Sequence, residues 1–201
     1  YDEPRDESLS AFELGRNYLK DNKAKNGLHI YDEDNHNTSR DRCGDFIGTL
    51  RVHDNVVMNQ AGAGIEYVIT CGWSNDVHFY NNVLINVGLR HDINCTSNCG
   101  GVGAAMHLGG SNLLGDIHVY NNTVHTWDST NWPGVSPNCV MLNGNDPEQL
   151  VGVSTLPDIF FNDNVCYSAV SKPMYALGYK SPAIASHISG TRNVFHSPGQ
   201  V

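Results

Sequence analysis

Apolar residues alternate with polar residues in short runs along the whole chain. The runs Val77-His78-Phe79-Tyr80 and Ile117-His118-Val119-Tyr120 have the two-residue period of a β-strand with one buried face. Each such run ends in an Arg-Asn, Asp-Asn or Asn-Asn pair, after which a second short apolar run begins. The pattern predicts short strands joined at one recurring type of turn.

The asparagine of this turn recurs six times. It occupies positions Asn17, Asn55, Asn82, Asn122, Asn164 and Asn193, at intervals of 38, 27, 40, 42 and 29 residues. A constant core with variable spacing is typical of stacked repeats whose insertions lie in loops. Stacked asparagine amides can bond one another, and asparagine tolerates the left-handed backbone of a tight turn. The sequence therefore predicts a β-solenoid with one asparagine per coil.

Alignment of the asparagines reveals three strand families in each coil. The strand before the asparagine points inward at Phe12/Leu14, Leu50/Val52, Val77/Phe79, Ile117/Val119 and Ile159/Phe161. The strand after it does so at Val57, Leu84, Val124, Cys166 and Phe195. A third family points inward at Leu28/Ile30, Ile65/Tyr67, Met106/Leu108, Val140/Leu142 and Tyr175/Leu177. These families predict an all-β, triangular, right-handed parallel β-helix of about five to six coils.

The coil around Tyr80-Asn81-Asn82-Val83 resembles the right-handed parallel β-helix repeats of the pectate-lyase-like superfamily. The resemblance extends from about Phe12 to Phe195. It implies a relation to polysaccharide lyases, glycoside hydrolases, epimerases, phage tailspikes or non-catalytic surface proteins. Since one fold supports many activities, function has to be inferred from the site residues.

Composition narrows the class of protein further. The 201 residues are predicted to form a single domain, in which residues 1–11 are a partial coil or a cap and further coils could precede them. A net charge of -9 argues against nucleic-acid binding, which relies on clustered Lys and Arg. The sequence lacks an apolar run of about 18 residues, so a membrane span is not expected.

Six cysteines indicate an oxidising compartment, and we therefore expect a secreted or cell-surface protein. Cys43 and Cys71 fall in corresponding loops of neighbouring coils and could form a disulfide. Cys95 and Cys99 share one loop and could pair locally. Cys139 and Cys166 occupy inward strand positions, where each is predicted to be a small buried apolar residue.

One column of outward residues carries the candidate catalytic groups. Its predicted members on successive coils are His29, Glu66, His107, Met141 and Ala176. Neighbouring members would lie about 5 Å apart, within hydrogen-bonding reach. In lyases of this fold, the resemblance implies that a base removes the proton α to a uronic-acid carboxylate. His29 or Tyr31 is the predicted base and Glu66 the group that orients a histidine. The alternative is an exposed polar ladder that keeps the sheet soluble.

A second outward face carries candidate substrate-binding residues. Its two predicted columns are Glu13, Arg51, His78, His118 and Phe160, and Gly15, His53, Tyr80, Tyr120 and Asn162. Tyr80 and Tyr120 could stack on sugar rings, and Arg51 beside His53 could meet a carboxylate. The alternative is an ordinary β-helix surface with high strand propensity.

Two loops add further candidates. Arg90 and His91 lie in a long connection and are predicted to line the groove near His107, unless this is simply a surface loop. Asp32 and Asp34 begin an acidic segment that could bind Ca2+, although its spacing is not that of an EF-hand and a solvated loop is the alternative. No other cofactor is expected.

Two functional hypotheses follow from these features. The first is a secreted carbohydrate-active protein, a polysaccharide lyase that acts by β-elimination with a His or Tyr base. The scarcity of lysine and the lack of an Asp pair followed by Gly-His disfavour a lysine-based lyase and a polygalacturonase-like hydrolase. The second hypothesis is a non-catalytic β-helix that binds glycans, or builds a surface or filament by stacking its coils on other β-helix coils.

Overall fold

The computed structural model describes residues 11–21, 26–32, 46–60, 62–69, 73–88, 104–110, 116–126, 138–143, 158–169, 175–179 and 185–197. Seventeen strands account for most of these residues, and they belong to three sheets. Each sheet takes one strand from every coil. This arrangement confirms the predicted three strands per coil.

The sheets are named A, B and C in the order in which the chain enters them. Sheet A contains β1 (Ala11–Gly15), β4 (Phe46–His53), β7 (Trp73–Tyr80), β10 (Ile117–Tyr120), β13 (Ile159–Asn162) and β16 (Ile188–Thr191). Sheet B contains β2 (Tyr18–Lys20), β5 (Val56–Met58), β8 (Val83–Ile85), β11 (Thr123–Thr126), β14 (Val165–Ser168) and β17 (Val194–His196). Sheet C contains β3 (Leu28–Asp32), β6 (Ile65–Ile69), β9 (Ala104–Gly110), β12 (Asn138–Asn143) and β15 (Tyr175–Tyr179).

Each strand from β1 to β14 pairs in parallel with the strand three places further along the chain, and the chain winds as a right-handed parallel β-helix. The described part contains six strands each in sheets A and B and five in sheet C, which confirms the predicted number of coils. Sheets A and B are joined by two residues in every coil, whereas the connections on either side of sheet C differ in length. The unequal asparagine intervals therefore come from the segments that flank sheet C.

The inward side chains form one continuous core along the helix axis. Leu50, Val77, Ile117 and Ile159 pair in register through sheet A and are almost completely buried, as the alternation predicts. Burial of this apolar surface is the main favourable term in folding. At the two ends of the described part, Phe12 and Phe195 occupy inward positions but are 48% and 46% exposed.

The recurring asparagines form a buried hydrogen-bonded ladder. Asn122 donates through Nδ2 to Oδ1 of Asn164 at 3.0 Å and to the carbonyl oxygen of Phe79 at 2.9 Å. Its own Oδ1 accepts from Nδ2 and from the backbone nitrogen of Asn82, both at 3.0 Å. One side chain thus links two neighbouring coils and satisfies a buried backbone carbonyl.

The left-handed backbone lies one residue earlier than predicted. In the turn between sheets A and B, the residues with positive φ are those that precede the ladder asparagines, such as Asn81 and Asn121, both with φ of 54°. The ladder asparagines themselves are not in this region, because their side chains have to point into the turn. Arg16, Asp54, Asp163 and Arg192 occupy the equivalent left-handed position in other coils.

A second, shorter ladder lies at the end of sheet B. Asn59 donates to Oδ1 of Asp21 at 2.7 Å, and Asn86 donates to Oδ1 of Asn59 at 3.5 Å. All three residues have positive φ. Sequence reasoning missed this ladder, although its members follow Asn17, Asn55 and Asn82 at a constant spacing.

Cys139 and Cys166 are buried at inward positions as predicted, but they also form a disulfide, which the sequence analysis did not predict. Cys139 lies on β12 in sheet C and Cys166 on β14 in sheet B of the following coil, with Cα atoms 6.0 Å apart. The two inward positions meet inside the core, where the bond ties two coils together. Cys43, Cys71, Cys95 and Cys99 lie outside the described residues.

The register of the last sheet C strand also differs from the prediction. Met141 pairs with Gly178 instead of Ala176, and Val140 pairs with Leu177. A slip of two residues leaves the alternation in Tyr175-Ala176-Leu177-Gly178-Tyr179 unchanged, and Leu177 packs against the core as predicted. The pattern therefore determined the face of this strand but not its alignment.

Replacement of one ladder asparagine should destabilise the whole solenoid. In Asn122→Ala, the Phe79 carbonyl and the amide of Asn82 lose buried partners, and we expect a loss of about 3 kcal/mol or more in the free energy of unfolding. Asn121→Gly is the matched control, since it removes an exposed amide and retains a residue that tolerates positive φ. Urea denaturation measures the free energy of unfolding of both variants. A similar loss of stability in the two would contradict the role of the ladder.

Reduction of the Cys139–Cys166 bond should also weaken the fold. The bond closes a segment of 27 residues, and removal of such a cross-link typically costs about 2–4 kcal/mol. The Cys139→Ala, Cys166→Ala double variant should unfold at lower urea concentration than the oxidised protein. Peptide mapping without reduction should recover the two cysteines in one linked fragment, and their recovery in separate fragments would disprove the pairing.

Candidate functional site

The predicted column on the outer face of sheet C is present. His29 pairs in register with Glu66, Glu66 with His107, and His107 with Met141. These residues come from four successive coils and are far apart in the sequence. The structure therefore brings together His29, Glu66 and His107 as the coil alignment predicted.

Glu66 lies at the centre of a hydrogen-bonded cluster. Its Oε2 is 3.2 Å from Nε2 of His29, and its Oε1 is 3.0 Å from Nδ1 of His107. Asn26 donates from Nδ2 to the same Oε2 that faces His29. Sequence reasoning missed Asn26, because it lies just outside the strand and its contact is with another coil.

Burial differs sharply along this column. Glu66 is 8% exposed and His107 is 5% exposed, whereas the side chain of His29 is 48% exposed. A buried carboxylate is costly unless hydrogen-bond donors compensate for its lost hydration, and the two histidines and Asn26 are such donors. The cluster therefore presents one accessible imidazole that is held from beneath by buried groups.

This arrangement has the geometry of an oriented general base. When Nε2–H of His29 donates to Glu66, the lone pair of that imidazole resides on Nδ1. The carboxylate fixes the ring orientation and stabilises the imidazolium that forms when Nδ1 takes a proton. His107, from the buried side, holds the carboxylate itself in place.

Several predicted site residues fall beyond what the structure describes. The backbone of β3 continues through Tyr31 and Asp32, but their side chains lie outside the described part. Asp34, Arg90 and His91 lie outside the described residues altogether. The calcium loop, the tyrosine base and the groove-lining loop therefore remain predictions.

The segments of variable length flank sheet C on both sides. Residues 86–103 precede β9, residues 127–137 precede β12 and residues 144–158 follow it, whereas sheets A and B are always joined by two residues. Long connections on a rigid scaffold are where binding residues concentrate. Sheet C, which carries the Glu66 cluster, is thus the sheet whose strands are preceded or followed by the inserted segments.

The outer face of sheet A carries the two predicted columns in register. The rings of Tyr80 and Tyr120 stack with centroids 5.0 Å apart and planes 4° from parallel. His53 stacks on Tyr80 at 4.8 Å. In the neighbouring column, His78 and His118 stack at 4.5 Å. Two parallel rows of rings therefore cover this face.

His53 forms the enclosed end of the tyrosine row. It is buried, with Nδ1 at 2.8 Å from Oδ2 of Asp54 and Nε2 bonded to Glu13. Its ring fills the space above Gly15, where an added Cβ would lie 2.6 Å from Cε1 of the imidazole. Tyr80 and Tyr120, which are only partly buried, are the members of this row that face solvent.

Arg51 belongs to the column of His78 and His118 on this face. Within the described part of the chain, its guanidinium makes neither a hydrogen bond nor an ion pair. The positive charge of Arg51 acts on two neighbouring side chains. Burial and Tyr80 raise the pKa of Tyr120, and Arg51 opposes that increase. It also adds to the decrease in the pKa of His78, which is mainly due to burial and His118. An anion that approached this face would meet an unneutralised positive charge.

A third column on sheet A was missed by sequence reasoning. Asp76 lies within β7, and Asp116 and Asp158 directly precede β10 and β13, each two residues before the column of His78, His118 and Phe160. One ligand atom from each of Asp76, Asp116 and His118 lies within 4.8 Å of the other two. The signal in the sequence is an aspartate directly before each of the inward residues Val77, Ile117 and Ile159.

The Asp54–His53 pair should make stability depend on pH in the acid range. The hydrogen bond from His53, followed by that from Asn81, holds the pKa of Asp54 below its usual value of 3.8. The stabilisation from this carboxylate is therefore complete above about pH 3.8 and is lost as the pH falls through the lower, folded-state value. Thermal unfolding of Asp54→Asn should show a smaller decrease in Tm between pH 5 and pH 2.5 than the parent protein. A difference in Tm that stays constant over this range would contradict the assignment.

Comparisons with known proteins add no relative. The chain matches no family model, no curated protein and no solved structure. Among the described residues, no helix is long and apolar enough to cross a membrane. The parallel β-helix is therefore established by the sheets and the ladder, and the pectate-lyase-like superfamily remains a resemblance in the coil pattern.

Proposed function

We propose that this chain is a carbohydrate-active β-helix protein that cleaves a uronic-acid polysaccharide by β-elimination, with His29 as the base. The observation that carries the proposal is the accessible imidazole of His29, hydrogen-bonded to a buried Glu66 that His107 and Asn26 also hold. The position of this cluster on the sheet flanked by the longest connections supports it further.

The burial pattern favours this function over a solubilising ladder. A ladder that keeps a sheet soluble consists of charges in contact with water, but Glu66 and His107 are nearly inaccessible. Burial of a carboxylate beneath a single accessible histidine is instead the arrangement of a base with its orienting group. Catalytic acids and bases are commonly built in this way, because the buried partner sets the direction and the basicity of the exposed one.

The proposed step is a proton abstraction followed by loss of the glycosidic oxygen. Nδ1 of His29 takes the proton α to the uronate carboxylate, and the C–H electron pair forms a double bond to the adjacent carbon. The bond from that carbon to the glycosidic oxygen breaks, the oxygen leaves with the second half of the polymer and takes a proton from water, and His29 later returns its own proton to the resulting hydroxide. The imidazolium of His29 is stabilised by the negative charge of Glu66.

A second candidate function is glycan binding without catalysis on the outer face of sheet A. The rings of Tyr80 and Tyr120 stack face to face, so they present their edges to a ligand, and the hydroxyl groups of a sugar can hydrogen-bond to the two phenol groups. The guanidinium of Arg51 beside them, which no described side chain pairs with, would bind a carboxylate of an acidic sugar. This candidate requires the sheet A residues and is independent of Glu66.

Activity on a panel of uronic-acid polysaccharides tests the first function. The ultraviolet absorbance of the unsaturated product should rise with the parent protein, and His29→Ala and Glu66→Gln should lower kcat by a factor of about 10²–10⁴. Tyr120→Ala, on the other face, is the control and should retain kcat. Circular dichroism should show that all variants are folded.

The results separate the two candidates. Absence of product on every polymer, with and without calcium and from mildly acid to alkaline pH, would eliminate the lyase function. If the protein is nevertheless retained on an immobilised acidic glycan, and Arg51→Gln and Tyr120→Ala abolish that retention, the binding function is supported. Full activity in His29→Ala would place the base elsewhere.

A further inference from the structure

We propose that Asp76, Asp116 and His118 bind a divalent transition-metal ion on the outer face of sheet A, where the start of β10 lies beside the middle of β7. The ligand set consists of two carboxylates and one imidazole from two neighbouring coils. The site is separate from the Glu66 cluster, which lies on sheet C.

The backbone register places the three side chains together. The amide nitrogen of Val77 donates to the carbonyl oxygen of Asp116 at 2.9 Å, and Val77 pairs with Ile117. Asp76 and Asp116 are therefore neighbours on adjacent strands and share the outer face. Since side chains alternate, His118 lies on that face two residues after Asp116. One ligand atom from each residue lies within 4.8 Å of the other two.

The charge on these two aspartates is not neutralised by the described part of the protein. Other carboxylates on or beside this face have partners, such as Asp158 with His187 at 3.0 Å and Asp163 with Arg192 at 2.6 Å. Asp76 and Asp116 make no ion pair and no side-chain hydrogen bond within the described residues. Like charges opposite each other on paired strands are destabilising, and a bound cation would remove this repulsion.

The histidine of the site is held in place by its neighbours. His118 stacks between His78, at 4.5 Å and 6° between the ring planes, and Phe160, at 4.9 Å and 10°. A ligand whose ring is already oriented loses little freedom when a metal binds. A fixed imidazole beside two unneutralised carboxylates distinguishes this cluster from an exposed acidic patch.

The donor set selects the class of metal. Calcium and magnesium prefer oxygen ligands alone, whereas an imidazole nitrogen with carboxylates suits zinc or manganese. Tetrahedral zinc, with bonds of about 2.0–2.1 Å, needs ligand atoms somewhat closer together than they are here, and rotation of the two unpaired aspartate side chains can bring them there. Three protein ligands leave a position for water, and the ion would bridge two coils.

Titration of chelator-treated protein with Zn2+ and with Mn2+ by isothermal calorimetry tests the site. We expect one ion per chain at this site, an increase in Tm with added Zn2+, and at least a tenfold loss of affinity in Asp116→Asn and in His118→Gln. Asp158→Asn is the matched control, because Asp158 occupies the same column one coil further on and is paired with His187. The Asp158→Asn variant should bind Zn2+ with the affinity of the parent protein.

A second control excludes the other histidine cluster. Glu66→Gln should retain the zinc affinity of the parent protein. A loss of binding in this variant alone would mean that the ion binds at the cluster on sheet C, which would overturn the proposal. Lack of binding by the parent protein would also overturn it, as would equal binding in His118→Gln. Tighter binding of Ca2+ than of Zn2+ would contradict the role of the imidazole. Circular dichroism without metal verifies that each variant is folded.

Discussion

The structure depends on the hydrogen bonds between stacked asparagine amides in the turn that joins sheets A and B. Each amide satisfies a buried carbonyl and bonds the amides of the coils before and after it, as Asn122 does with Asn82 and Asn164. Because an asparagine can occupy only one rung of the ladder, the contact sets the register of adjacent coils. The alignment of every column that runs along the outer faces near this turn follows from that register.

This constraint explains how a chain with few charges can assemble polar sites. In a parallel β-helix, residues that share a position in the coil become neighbours although about 30 to 40 residues separate them in the sequence. Glu66 meets His29 and His107 in this way, and Asp76 meets Asp116. The rigid stack holds such groups at one strand spacing, so like charges repel and unlike groups bond without any rearrangement of the backbone. The charged and polar side chains of one column therefore interact directly with one another, although they come from different coils.

The sequence predicted sheet A more accurately than sheet C. For sheet A, the inward side chains and the pairing of residues between coils were both predictable, because the turn asparagine lies directly after its strands. Sheet C follows segments of variable length, and there the alignment of β15 was wrong by two residues although its inward face was right. The disulfide was missed because an inward cysteine has the same pattern whether or not it is bonded. Asn26 was missed for a related reason, since its partner lies in another coil.

By itself, the sequence determined the coil repeat, the residues that face inward and the columns in which His29, Glu66, Tyr80 and Tyr120 lie, because alternation and a turn residue are local properties of the chain. Only the tertiary structure decided how far each member of a column is buried and which groups neutralise it. It placed Glu66 beneath an accessible histidine, enclosed His53 between two carboxylates and left Asp76 and Asp116 without a partner in the described part of the chain. Burial and charge compensation depend on distances between coils, which the order of residues along one strand does not contain.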